Sequence, residues 1–255
     1  MITRRRAWKI TSKLLLASAV CHLFAIAAPA DSTELMTNGN FETGTFAGWS
    51  VINQTGSFPG SNWFIDTPGT TTPVSGMATS SAGGLAHGSF YAVTDQGGPG
   101  SHSLLQTFTV LPGALSIILS FDMFNNNWDG GPFGTSQDFT IIPNQHARVD
   151  ILSSGAGPFD TGAGVLRNFF LGGTPVTSPN PFTHFSFDVT TLLSSGGTFQ
   201  LRFAEVDNQF FFNMGIDNVS IQETVIPEPG SFILLLSGVG LTALCQRSRK
   251  RSPGL

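Results

Sequence analysis

The chain of 255 residues carries 12 Lys and Arg, 16 Asp and Glu, a formal net charge of −4 and two cysteines. Nine of the basic residues sit near the two ends, so the centre offers nothing to nucleic-acid phosphates or to an anionic lipid surface. Cys21 and Cys245 are also at the ends, which leaves the centre without a disulfide but long enough to bury a core unaided.

The first element begins with Arg4, Arg5, Arg6, Lys9 and Lys13, continues as an apolar run over 14–28 and closes at Ala28-Pro29-Ala30. A basic start, a short apolar stretch and a small-residue A-x-A pattern read as a signal peptide over residues 1–30, removed after Ala30. The run is short for a membrane span, and His22 interrupts it. Export then leaves a central domain, residues 31–224, with three arginines (Arg148, Arg167, Arg202) against fifteen acidic side chains, a balance of −12 without a lysine. Such a surface favours cations and leaves neutral sugars admissible.

Within the domain the pattern is strand, turn, strand. Leu115, Ile117, Leu119, Phe121 and Met123 recur at every second residue, with Ser116, Ser120 and Asp122 between them, the period of a half-buried strand. Ala147, Val149 and Ile151 alternate with His146, Arg148 and Asp150, and Phe185, Phe187 and Val189 and Phe199, Leu201 and Phe203 repeat the period. Residues 89–94, 104–110, 165–171 and 215–222 read as further strands, separated by Gly, Pro, Asn and Ser clusters, with no amphipathic helix of useful length. Many short strands joined by turns predict an all-β, antiparallel jelly-roll β-sandwich, with long loops at 57–84 and 125–136.

The domain opens with Asn38-Gly39-Asn40-Phe41-Glu42-Thr43-Gly44 and Gly48-Trp49, and closes with Gly215-Ile216-Asp217-Asn218-Val219-Ser220-Ile221. These resemble the first strand and turn, and the last strand, of carbohydrate-binding-module-like and galactose-binding-like jelly rolls. The resemblance implies that the two ends of the domain pair and that a structural calcium ion lies near them, held by Glu42 and Asp217. Alternation gives a separate argument. Asp217 shares its side of the strand with Val219 and Ile221, so it faces the core if they do, and a buried carboxylate must be hydrogen-bonded, paired or metal-bound. Calcium takes about six to eight oxygens, which carbonyls near Asn38 and Asn40 would complete; the alternative is a hydrogen-bonded turn.

The last element has three parts: Pro227-Glu228-Pro229, an apolar run over 232–245, and Arg247, Arg249, Lys250 and Arg251. This tail, residues 225–255, resembles the PEP-CTERM sorting signal, found on exported proteins of Gram-negative bacteria that make extracellular polysaccharide and processed by a membrane protease-transferase of the exosortase type. Physically, the apolar run enters the inner membrane as a helix and the basic cluster over 247–251 holds its far end on the cytoplasmic side. Its fourteen residues fall below the roughly 17–25 of a permanent span, which suits a transient tether before release to the cell surface or matrix.

No catalytic constellation is visible. His87, His102, His146 and His184 are scattered, and there is no G-x-S-x-G elbow, cysteine nucleophile or P-loop lysine, so the domain reads as non-enzymatic. Sugar sites stack aromatic faces on rings and surround them with amides and carboxylates. Asn125-Asn126-Asn127-Trp128-Asp129-Gly130 has that composition on an expected loop, making Trp128, Asn126 and Asp129 the candidate carbohydrate ligands, with Trp63 beside Asn62 as a second position. For Trp128 the alternative is a ring tucked over the sandwich edge; Trp49 reads as core. Phe210-Phe211-Phe212 places aromatics on both faces of a sheet, and Asp95-Gln96-Gly97-Gly98 and Glu205-Val206-Asp207-Asn208 read as polar turns able to hold a cation. The expected function is an exported surface or matrix protein associated with polysaccharide. A purely structural surface protein and a glycan-acting enzyme are the other two readings.

Overall fold

Alternation along the chain becomes eleven strands among the described residues: β1 Asp31–Glu34, β2 Ser50–Asn53, β3 Asn62–Asp66, β4 Tyr91–Asp95, β5 Gly100–Val110, β6 Ser116–Asn127, β7 Gln145–Ser153, β8 Val165–Gly172, β9 Thr183–Asp188, β10 Gly197–Asp207 and β11 Phe212–Val225, with one helical turn at Thr190–Leu193. They come from a computed structural model, which describes residues 30–77, 88–129, 131–173 and 179–226. The segment up to residue 29 that is expected to be a signal peptide, His87, Gly130, the motif Pro227-Glu228-Pro229, the apolar run and the basic cluster lie outside the described residues. Among the described residues no helix is long and apolar enough to cross a membrane.

The strands form two antiparallel sheets. One has the order β3-β4-β11-β6-β9 with β1 added on β11; the other runs β2-β5-β10-β7-β8. Ile117, Leu119, Phe121 and Met123 of β6 and Met214, Ile216, Val219 and Ile221 of β11 face Leu104 and Phe108 of β5, Val149 and Ile151 of β7 and Leu201 and Phe203 of β10. Phe121 and Phe203 meet edge to face across the two sheets at 5.2 Å. Residues Ser32–Val225 make one compact unit, and β1 on β11, with Leu35 N donating to Ile221 O at 2.9 Å, joins the two ends of the domain.

Three expectations are corrected. Strands β6 and β10 run on through polar residues to Asn127 and Asp207, because β11 and the β5–β7 pair supply ladder partners along their whole length. The expected loop over 125–136 therefore starts later, and β3 emerges inside the expected loop over 57–84. Asp217 does not share a side with Val219: a bulge between Asp217 and Ser220, with Asn218 at φ 50°, shifts the parity of β11. Ile216 and Val219 both face the core, which turns Asp217 to the opposite face of the sheet.

The bulge is the seat of the opening motif. Val219 N donates to Gly39 O at 2.9 Å, and a Cβ on Gly39 would lie 1.8 Å from Val219 O, so only glycine fits. Phe41 and Trp49 stack beside it with centroids 5.6 Å apart, Trp49 in turn on Phe203, which makes Trp49 a core residue as expected.

Outside the second sheet, the alternation that places Val149 and Phe203 inward sends Arg148, Asp150 and Arg202 outward, yet all three are buried. The β7–β8 connection folds back over them. Arg202 donates to Asp150 and to the carbonyls of Pro158 and Asp160, and Arg148 forks onto Asp150 at 2.7 and 2.9 Å. Two of the domain's three arginines are thus engaged by one aspartate.

Candidate functional site

The inward parity of β10, set by Phe199, Leu201 and Phe203, continues through Glu205 and Asp207 and carries both carboxylates into the interior at one end of the sandwich. Gln96, at the end of β4 in the other sheet, reaches across to them. Its Nε2 lies 2.9 Å from Glu205 Oε1, 2.7 Å from Asp207 Oδ2 and 2.7 Å from Phe212 O. An amide nitrogen has two hydrogens, so it serves two of these three acceptors at a time. Gln96 Oε1 and Glu205 Oε2 are buried and accept no hydrogen bond.

Among the described residues no cationic side chain forms an ion pair with these carboxyls. Burial, then the neighbouring Asp207 and Asp95, pushes the Glu205 carboxyl well above its ordinary range. Burial, with Asp129 adding to it, raises Asp207 to about 7. His102, the β5 partner of Glu205, and His146 are both lowered to about 4 by burial and are uncharged near neutrality. Arg148 and Arg202 are held by Asp150, and Arg167 stacks on the Phe169 ring at 5.0 Å.

Above Asp207 a cleft of about 180 Å³ opens between two turns, residues 96–99 and 208–211. The first turn has two glycines at its centre: Phe58 lies on it, 45% exposed, and a Cβ on Gly98 would come within 2.5 Å of its ring. On the second turn Phe210, 53% exposed, rests against Phe211 at 4.9 Å with the rings inclined at 65°. The side-chain amides of Asn208 and Gln209 are used within the turns, on Phe139 O and Ile141 O and on Asn208 itself.

The sequence-derived sugar ligands fare differently. Trp63 is 1% exposed because β3 pairs with β4, opposite Thr94, and turns the indole into the core, so it is no surface ligand. Asn126 is buried within β6, and its Oδ1 accepts from Asn180 N at 2.7 Å, so it too is removed from the ligand set. Trp128 and Asp129 are half-buried beside the cleft: Trp128 N donates to Phe211 O at 3.1 Å, and the charge of Asp129 reaches Asp207. The two polar segments 95–98 and 205–208 do converge, although Glu205 and Asp207 belong to a strand and not to a turn. Continuing the β10 alternation by two steps was the signal that would have found them.

At the opening motif, Glu42 Oε1 accepts from Ser89 N and Phe90 N at 2.8 and 3.1 Å. Burial, and then the charges of Asp122 and Glu42, raises Asp217 to about 7. Asp122 receives Asn218 Nδ2 and pairs with His184, each contact within 2.8 Å. Of the carbonyls expected to complete a calcium shell, Asn38 O already accepts from Trp49 Nε1 and Phe41 N, and Gly39 O from Val219 N. Among the described residues no group of three His, Cys, Asp or Glu is placed to hold a metal. A calcium ion here would draw on Glu42, Asp217 and further backbone oxygens.

The fold and tail define an exported β-sandwich protein. Residues 225–250 match the PEP-CTERM protein-sorting motif, which marks a protein exported and sorted to the cell surface and implies processing by an exosortase. Comparison with curated proteins gives no match. Among solved structures the chain is similar in fold to TmCBM61 in complex with β-1,4-galactotriose, at 11% identity and TM-score 0.45 over 74% of this chain and 97% of that one. It is also similar to the Stig cyclase Fisc from Fischerella sp. TAU, at 17% identity and TM-score 0.46 over 78% and 100%. A third similarity is to the K3 adhesin domain of Lys-gingipain from Porphyromonas gingivalis w83, at 18% identity and TM-score 0.42 over 75% and 99%.

Proposed function

We propose that this is a non-enzymatic protein of the Gram-negative cell surface or extracellular matrix whose end cleft binds polysaccharide, and whose opening and closing motifs share one structural calcium ion. The observation that carries the reading is Phe210, an exposed ring standing over a cleft floored by Gln96 and Asp207, the pairing of aromatic face and polar edge that sugars require. The cleft lies at the start of β11 and the sorting motif follows its other end. Glu205 is wholly enclosed while Asp207 lines the cleft, so the two cannot flank a glycosidic bond, which supports binding without turnover.

A glycan array with the full chain in mild detergent tests this. The wild type retains at least one polysaccharide fragment, Phe210→Ala loses about ten-fold in affinity, and Trp128→Ala changes it less. Absence of retention by any of the three proteins removes the carbohydrate reading. Mass spectrometry of the mature carboxy terminus, showing loss of the segment after Pro229, tests the exosortase step.

A further inference from the structure

We propose that the end cleft takes a primary ammonium group carried on a sugar ring, so that the polysaccharide recognised contains deacetylated amino sugars. This rests on the reading of the cleft as a glycan site and names its substrate class.

The argument is a count of donors and acceptors. The three side-chain amides that line the cleft, those of Gln96, Asn208 and Gln209, direct their N–H groups into the protein. The backbone N–H of Phe210 goes to Gln145 Oε1 at 3.0 Å, and that of Gln209 is shared between Gln145 Oε1 and Asp207 Oδ1, each at 3.2 Å. An acceptor is left over: Gln96, 2% exposed and lining the cleft, has an Oε1 with no partner, and the acidic side chain of Asp207 beside it forms no ion pair among the described residues. An ammonium group brings three N–H donors and the missing positive charge, and its bonds to a carboxylate are of the charge-assisted kind. A carboxylated or sulfated sugar would meet Asp207 and Asp129 with like charge. Phe210 and Phe211 supply the apolar face against which the ring carrying the amine lies.

Calorimetry on the full chain in detergent compares glucosamine oligomers with N-acetylglucosamine and glucose oligomers of equal length, and with oligolysine of equal charge. The inference expects the glucosamine oligomer to bind about ten-fold more tightly than the other three, the worth of one charge-assisted contact. Asp207→Asn should shrink that preference to about two-fold, and Asp129→Asn, which leaves the buried pair in place, should reduce it by about half. Equal binding of acetylated or neutral oligomers overturns the ammonium inference and leaves the glycan reading standing. Oligolysine binding as tightly as the amino sugar overturns the sugar component. Failure of every oligomer to bind overturns both.

Discussion

Asp150 and Arg202 form an enclosed ion pair on the outer face of the second sheet: Asp150 Oδ2 accepts from Arg202 Nε at 3.0 Å and Nη2 at 2.5 Å, and both side chains are fully buried. The pair is what lets a hairpin loop lie over a face that alternation assigns to solvent. Arg202 carries the connection 154–164 through the carbonyls of Pro158 and Asp160. Asp150→Asn leaves two guanidinium groups beside a neutral amide, and should lower the unfolding free energy by about 3–5 kcal/mol. Urea denaturation measures it; a loss under about 1 kcal/mol would mean the loop is held by other contacts.

Gly39 should tolerate no side chain. A methyl group there overlaps the Val219 carbonyl, and the obstacle is backbone at a bulge, which cannot swing away as a side chain would. Gly39→Ala is expected to cost more than about 2 kcal/mol in urea denaturation and to loosen the junction of the two chain ends. Wild-type stability in this variant would contradict the seating of the opening motif on β11.

Asp207 sets a pH dependence of known sign. Its carboxyl holds the proton to about 7 in the fold, against 3.8 for a free aspartate, so the folded state binds the proton more tightly than the unfolded chain. That contribution to stability is full below about 4 and is lost as pH rises through 7. His102 and His146, lowered to about 4, act in the opposite direction: their contribution is present above 6.5 and is lost as pH falls. The difference between Asp207→Asn and wild type isolates the aspartate, and should move in favour of the variant between pH 4 and pH 8 by on the order of 4 kcal/mol. A difference that is flat with pH would show that the carboxyl is not buried in solution.

Calcium should act through Asp217. Millimolar calcium at pH 8 is expected to raise Tm by several degrees, with reversal by chelator, and Asp217→Asn should abolish the response. An unchanged Tm in the wild type refutes a structural ion at the Glu42–Asp217 pair and leaves Glu42 as the acceptor for Ser89 and Phe90 alone.

Carbohydrate binding should be indifferent to Trp63. Trp63→Phe keeps most of the apolar volume and removes an indole N–H that has no partner, so affinity on the glycan array should stay within about two-fold of wild type. A loss matching that of Phe210→Ala would mean that the site extends into the core.

The period of two in 115–123, 147–151 and 199–203, together with turn-forming residues between, determined the sandwich and its inward faces, because alternation acts over neighbouring residues; the pairing of the domain's ends was implied by the resemblance that its opening and closing motifs carry. The tail was legible for the same reason: its three parts are contiguous. The tertiary structure alone decided which polar residues meet. Gln96 lies more than a hundred positions from Glu205 and Asp207 in the chain, and only the facing of two sheets brings them to one nitrogen. A single inserted residue at Asn218 reversed the side on which Asp217 stands, and a hairpin folded onto Arg202 turned a solvent face into an interior. Register and loop placement are set by the sum of many distant contacts, so no local pattern records them.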